Sequence, residues 1–334
     1  MKRLISRRQL LRHSALALGI LGASNTPAFA QAWTPARGEG TIAIQIQDAF
    51  VRYHQLPTVR VDRGPIHSQT LLVDFTYGLT DRAAFSVALP YVQSKYDGER
   101  PHSALDSPHN YHSTFQDFRF DFRYNLSRKG FVVTPFFGTI LPSHGYTYFA
   151  HSAAGRHVRE VQAGVNFATL MDRVVPGLFV QGRYSYGFAE KILGISHNRS
   201  ILDAEVGYFV NPALRVFALG SGQLTHGGVD LNGNSLVTLG PVLYPHHDQI
   251  GRENVLNVGA GAAYDLSPTV GIYGSVMRTV AGRNVHALQY AAAMGMTWTF
   301  LKGDNRPRAN RATLQGRAQS KGQALGKCIC QKGM

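Results

Sequence analysis

The chain has 334 residues, 44% of them hydrophobic, with a formal net charge of +14 and two cysteines. Most of the positive charge lies in the first 30 residues and after Phe300, so the segment between is nearly neutral, which excludes nucleic acid as its partner. No stretch after residue 30 offers the roughly 18 apolar residues of a membrane-spanning helix, which excludes a helical membrane protein.

The N-terminal segment has the features of an export signal. A basic stretch from Lys2 to Arg12 precedes a short apolar run, and Ala28 and Ala30 frame a small-x-small cleavage motif. The sequence therefore predicts a cleavable signal peptide over residues 1–30. The segment from Ser6 to Leu11 resembles a twin-arginine signal, but the twin-arginine route exports folded proteins. Because a membrane barrel folds only in the membrane, we favour ordinary secretion of the unfolded chain.

Alternation of apolar and polar residues runs through the rest of the chain and predicts strands. In chain order the predicted strands cover residues 41–52, 66–77, 82–93, 115–126, 131–141, 158–170, 178–188, 200–210, 213–224, 254–266, 269–280 and 285–300. The clearest alternation lies in 115–126, where one face carries Phe118, Phe120, Phe122, Tyr124 and Leu126. The opposite face carries Asp117, Arg119, Asp121, Arg123 and Asn125.

The connections between these strands alternate in length. Five short turns are centred near Leu79, Lys129, Val175, Pro212 and Pro268, and the connections between them are mostly long. This sorting, with an even number of strands of about 10 residues, is typical of an outer-membrane barrel. We therefore predict an all-β fold over residues 31–300, a twelve-stranded antiparallel transmembrane β-barrel with short periplasmic turns and long extracellular loops. Residues 301–334, with Cys328 and Cys330, are predicted to be a basic disordered tail.

Charged side chains recur on the predicted inward face, with Glu160 among them. We predict pore-lining roles for Asp74, Asp117, Arg119, Asp121, Arg123, Arg183, Asp203 and Glu205. Facing lipid, each basic residue near the midplane would cost about 2–4 kcal/mol. Two interpretations stay open: the charges fill and brace a narrow barrel, or they line a selective pore.

The sequence gives no cofactor, no metal site and no catalytic residue. The histidines of the predicted mature chain lie in or beside the long connections, and two groups could hold a metal such as Zn²⁺. One is His246, His247 and Asp248, and the other is His102, His109 and His112. Neither spacing matches a zinc framework, so we favour solvated loop residues. No G-x-S-x-G, H-E-x-x-H or P-loop motif is present.

Several short segments resemble the family of outer-membrane channels and transporters associated with the MetA pathway of phenol degradation. They are the segment from Tyr77 to Arg82, Val87 to Tyr91, Phe115 to Arg119 with Phe122 to Tyr124, Thr139 to Pro142, and the start from Trp33 to Gly40. The resemblance implies passage of small, aromatic or hydrophobic compounds. Barrels of this kind commonly end at an aromatic residue, which Phe300 matches, although 34 residues follow it.

We therefore expect a passive channel or transporter of the bacterial outer membrane. Its expected partners are small-molecule solutes, outer-membrane lipid and the barrel-assembly machinery. Two alternatives remain. One is a lipase- or protease-type barrel enzyme at the extracellular rim, for which His246, His247 and Asp248 with Ser235 are the candidates. The other is a structural or adhesive barrel whose loops bind a partner.

Overall fold

The computed structural model describes residues 32–107, 109–128, 130–231 and 235–301. The predicted signal peptide and the tail with Cys328 and Cys330 lie outside these residues. The described part of the chain is a closed antiparallel barrel of twelve strands, as the sequence predicts.

Thirteen strand segments build this barrel. They are β1 (Glu39–Gln55), β2 (Arg60–Gly78), β3 (Ala83–Tyr96), β4 (His112–Phe115), β5 (Phe118–Tyr124), β6 (Val132–Leu141), β7 (Glu160–Leu170), β8 (Leu178–Ala189), β9 (His197–Phe209), β10 (Leu214–Gly227), β11 (Asn254–Asp265), β12 (Val270–Arg283) and β13 (Val285–Leu301). Segments β4 and β5 both pair with β3 and form one barrel strand, interrupted at Gln116 and Asp117.

Closure brings the first and last strands together. Consecutive strands pair antiparallel around the barrel, and β1 lies between β2 and β13. The long connections carry short helices, namely 3-10 turns at Ala104–Asp106 and Tyr244–His246, α1 (Ser235–Leu243) and α2 (His247–Ile250). Within the described ranges, no helix has both the length and the apolar character to cross a membrane.

The two faces of the strands separate as the alternation predicts. In β5 the Phe122 side chain faces outward and is 45% exposed, whereas the neighbouring Arg123 faces inward and is 1% exposed. The outward apolar surface continues around the barrel, for example at Ile46 and Val276. Because an apolar exterior around a polar interior requires lipid outside, this barrel belongs in the bacterial outer membrane.

Two details of the sequence prediction are wrong. The connection between β1 and β2 spans only 56–59, and Asn284 alone separates β12 from β13, because these strands extend past their predicted extracellular ends. In the predicted strand 285–300 the alternation places Leu288 on the lipid-facing side, but it is buried together with Ala291 against Ala49 and Met277. Two inward residues three apart mean that the alternation shifts by one residue, as at a β-bulge.

Candidate functional site in the barrel interior

The barrel encloses a cavity of about 370 Å³, lined by strands and by the long extracellular loops. Two of these loops contribute lining residues, 142–159 and 228–253, and the 97–111 loop is hydrogen-bonded to 142–159. Six of the eight predicted pore-lining residues border this cavity: Asp74, Asp117, Arg119, Asp121, Arg183 and Asp203. Arg123 and Glu205 do not border it; they lie closer to the short turns, in a layer beneath the cavity.

Asp121 joins two of the predicted arginines. Its Oδ2 lies 2.8 Å from Nη2 of Arg183, and its Oδ1 lies 3.3 Å from Nε of Arg123. The Arg183 guanidinium also stacks on the Phe136 ring, with its Cζ 3.5 Å from the ring centroid. Since pairing and stacking both offset the cost of desolvating a guanidinium, this cluster braces the wall between β5 and β8.

Three further acidic residues of the barrel interior, Asp203, Glu205 and Glu160, also have partners. The Ser221 hydroxyl donates to Asp203 Oδ1 at 2.6 Å, and Gln181 Nε2 donates to Glu205 Oε2 at 2.9 Å. Glu160 is paired with Arg199, with Nε 2.6 Å from Oε2. Sequence reasoning missed Arg199 because it falls one residue before the predicted start of its strand, whereas β9 begins at His197.

Arg119 differs from the other arginines that border the cavity. Arg156, Arg183 and Arg199 each pair with a carboxylate, while Arg119 makes no ion pair or hydrogen bond within the described ranges, and its Nε is buried without a partner. A guanidinium that faces a cavity unpaired is a donor available to an anionic solute.

A packed layer closes the interior on the side of the short turns. Phe179, Gln181, Arg123 and Glu205 are all almost completely buried there. Arg123 Nη2 donates to Ser86 Oγ at 2.5 Å. The start of the described chain joins this layer, because the Ala32 carbonyl accepts a bond of 2.5 Å from Thr134 Oγ1.

The extracellular side is roofed by loops that are bonded to one another. Buried Asp106 accepts bonds from the backbone N–H groups of His102, His151 and Ser152, at 2.9, 2.9 and 3.0 Å, and from Ser152 Oγ at 2.8 Å. Burial opposes ionisation of this carboxyl, but the N–H groups of His151, His102 and Ser152 outweigh it and hold its pKa below the ordinary value. Arg156 and Gln249 exchange two bonds, which ties 142–159 to 228–253.

The histidines of these loops are not grouped as either predicted metal site requires. His109, His112 and His246 each use a ring nitrogen in a hydrogen bond, to Tyr96 O, Ser152 O and Gln249 Oε1 respectively. His102 from one group lies instead beside His247 and Asp248 from the other. The expectation of solvated loop histidines is wrong for His247 and His151, which are buried because the loops fold over the barrel mouth.

Comparison with known proteins gives a fold but no family. No protein-family model and no curated protein matches the chain. Among solved structures, the COG4313 outer membrane channel from Pseudomonas putida F1 is similar, with a TM-score of 0.62 and 12% identity over 84% of this chain and 100% of that one. The NanC porin has a TM-score of 0.46 and 10% identity over 77% of this chain and 98% of its own. The NalP translocator domain from Neisseria meningitidis has a TM-score of 0.46 and 14% identity over 88% and 96%.

Proposed function

We propose that this protein is a passive channel for small solutes across the bacterial outer membrane. The observation that carries the proposal is the cavity of about 370 Å³ with charged walls inside a closed barrel. A barrel that only anchored its loops would function equally well with its interior filled by side chains. The solved outer membrane channel with a similar fold supports the same function.

The charge pairing in the cavity favours solutes that carry a carboxylate. Of the lining carboxylates, Asp121 and Glu160 pair with arginines and Asp203 accepts a bond from Ser221, whereas the Arg119 guanidinium makes no ion pair or hydrogen bond in the part of the chain that the structure describes. The resemblance to MetA-associated channels points to aromatic or hydrophobic cargo. Together these two lines of evidence support small aromatic acids as the solutes. To reach the periplasm, such a solute must pass the hydrogen-bonded layer around Arg123.

Liposome swelling tests the proposal and its solute class. We expect purified protein to admit benzoate faster than xylose, a neutral solute of similar size that crosses protein-free bilayers slowly, with each rate taken above that of protein-free liposomes. Arg119→Ala should lower the benzoate rate several-fold and change the xylose rate little, because only the carboxylate uses the guanidinium. The matched control is Arg159→Ala, which removes an exposed arginine that does not border the cavity. Swelling no faster than in protein-free liposomes, for every solute, would refute the channel function.

Single-channel recording separates the roles of Arg119 and Arg123. Arg119→Ala should shift ion selectivity toward cations, because it removes an unpaired positive charge from the cavity wall. Arg123→Ala removes a filled volume and the partner of Ser86 and Asp121 from the closing layer. It should therefore raise conductance or open time and change selectivity less. If both variants carry the same currents as the parent protein, neither Arg119 nor Arg123 lines the conducting pathway.

A further inference from the structure

The roof of the cavity carries a cluster of imidazoles that the proposed channel function does not use. His54, His151, His247 and His286 border the cavity from above, and the His102 ring stacks on His151 with centroids 3.6 Å apart. The His54 and His286 rings meet edge to face at 4.5 Å. Five imidazoles thus converge from β1, β13 and three loops on one part of the barrel mouth.

Three of the side chains in this region are spaced for one metal ion. His102, His247 and Asp248 each offer one ligand atom, and these atoms lie within 4.8 Å of one another. Nε2 of His247 and Oδ1 of Asp248 are already 3.2 Å apart. Zinc bonds of about 2.0–2.2 Å in a tetrahedron place ligand atoms roughly 3.4 Å apart. Small side-chain rotations therefore bring all three atoms to bonding distance.

The hydrogen bonds that His102 and His247 make leave a ring nitrogen of each imidazole free to bind a metal. Nδ1 of His247 lies 2.8 Å from the Tyr244 carbonyl oxygen, which can only accept, so Nδ1 carries the proton and Nε2 is left to bind. Pro245 is the second residue of the Tyr244–His246 turn, and the Gly251 N–H caps α2 by donating to the His247 carbonyl at 2.9 Å. Nδ1 of His102 is buried and has no hydrogen-bond partner within the described ranges, which is costly unless a ligand occupies it.

Neutral imidazole is the form that binds metals, and both side chains have a ring nitrogen that no hydrogen bond within the described part of the chain occupies, Nε2 of His247 and Nδ1 of His102. Asp248, beside His247, supplies a negative charge to offset that of a cation. Imidazole nitrogens with one carboxylate suit zinc, copper or nickel rather than magnesium or calcium.

We infer that the extracellular mouth binds one borderline divalent metal ion such as Zn²⁺ through His102, His247 and Asp248, with water or a neighbouring imidazole as the fourth ligand. The ion joins the 97–111 loop to the 228–253 loop directly above the cavity. Metal binding therefore holds two loops of the roof together and narrows the entrance of the channel.

Zinc titration of the full chain in detergent tests this site independently of conduction. The protein carries no polyhistidine tag, and Cys328→Ser with Cys330→Ser removes the two thiols that could also bind zinc. We expect one Zn²⁺ per chain with a micromolar or lower Kd in competition with a chromophoric chelator, and no competition from Mg²⁺. His102→Ala, His247→Ala and Asp248→Asn should each weaken binding at least tenfold.

A histidine outside the cluster provides the matched control. His226 is exposed and hydrogen-bonds Ser200 at 2.8 Å, so His226→Ala should leave the Kd unchanged. Heat-modifiable mobility in gels verifies that each variant folds, and His102→Gln replaces His102→Ala if the latter does not. Absence of stoichiometric zinc binding, or equal binding by the parent and all three ligand variants, overturns the inference whether or not the barrel conducts.

Discussion

At the scale of single residues, buried Asp106 holds the 97–111 and 142–159 loops together, although no sequence pattern singles it out. Its carboxylate accepts four hydrogen bonds from two loops that are distant in sequence. Alternation predicts which residues point inward on a strand, but it carries no information about a loop carboxylate. For the same reason the sequence could predict inward faces for Asp121 and Arg183 but not the ion pair between them.

Asp106→Asn should loosen the roof. The amide keeps one acceptor oxygen but places an NH₂ group against N–H donors, and buried donors left without acceptors cost about 1–3 kcal/mol. Limited trypsin digestion of the folded protein should cleave after Arg100 and Arg156 several-fold faster than in the parent. Asp97→Asn is the control, because half-buried Asp97 pairs with Lys95 and, within the described residues, accepts no bond from the roof loops. Equal cleavage of the two variants would contradict the role of Asp106.

At the scale of strands, aromatic rings packed over glycines hold neighbouring strands together inside the barrel. Tyr273 on β12 crosses Gly295 on β13, and its hydroxyl donates to Gln45 Oε1 on β1 at 2.9 Å. A Cβ on Gly295 would lie 2.4 Å from that hydroxyl oxygen. Phe217 covers Gly261 in the same way. Gly295 therefore makes room for a ring that joins β12, β13 and β1 across the seam where the barrel closes, and Gly261 makes room for one between β10 and β11.

Gly295→Ala should weaken this seam, since the added methyl displaces Tyr273 from Gln45. Overpacking of this kind costs about 1–3 kcal/mol. Gly274→Ala is a matched control on β12, because its Cβ would meet only the Ala293 carbonyl oxygen, at an ordinary 3.6 Å. Urea unfolding in lipid vesicles should show a lower unfolding free energy for Gly295→Ala alone. Equal losses in both variants would show that the ring is not the cause.

The sequence predicts the inward and outward faces of a strand correctly where lipid and the polar interior alternate with every residue. It fails to predict them where the surroundings of the strand do not alternate. Lipid on one side and a polar interior on the other impose that period on β5 and β7, and their inward residues match the expectation. Above the membrane that constraint ends. There the alternation near Leu288 shifts, β1 runs on to Gln55, and the distance between His102 and His247 depends on how the loops fold.

At the scale of the whole molecule, the position of the barrel in the bilayer follows from its exterior. Val276 and Leu266 are similarly exposed on the outer surface, at 59% and 58%, and differ in depth. Val276 lies near the middle of β12, whereas Leu266 follows β11 beside a periplasmic turn. Val276→Arg should therefore cost about 2–4 kcal/mol of unfolding free energy and Leu266→Arg about 0–1 kcal/mol. Urea unfolding in vesicles measures both, and equal costs would mean that the apolar band is placed elsewhere along the strands.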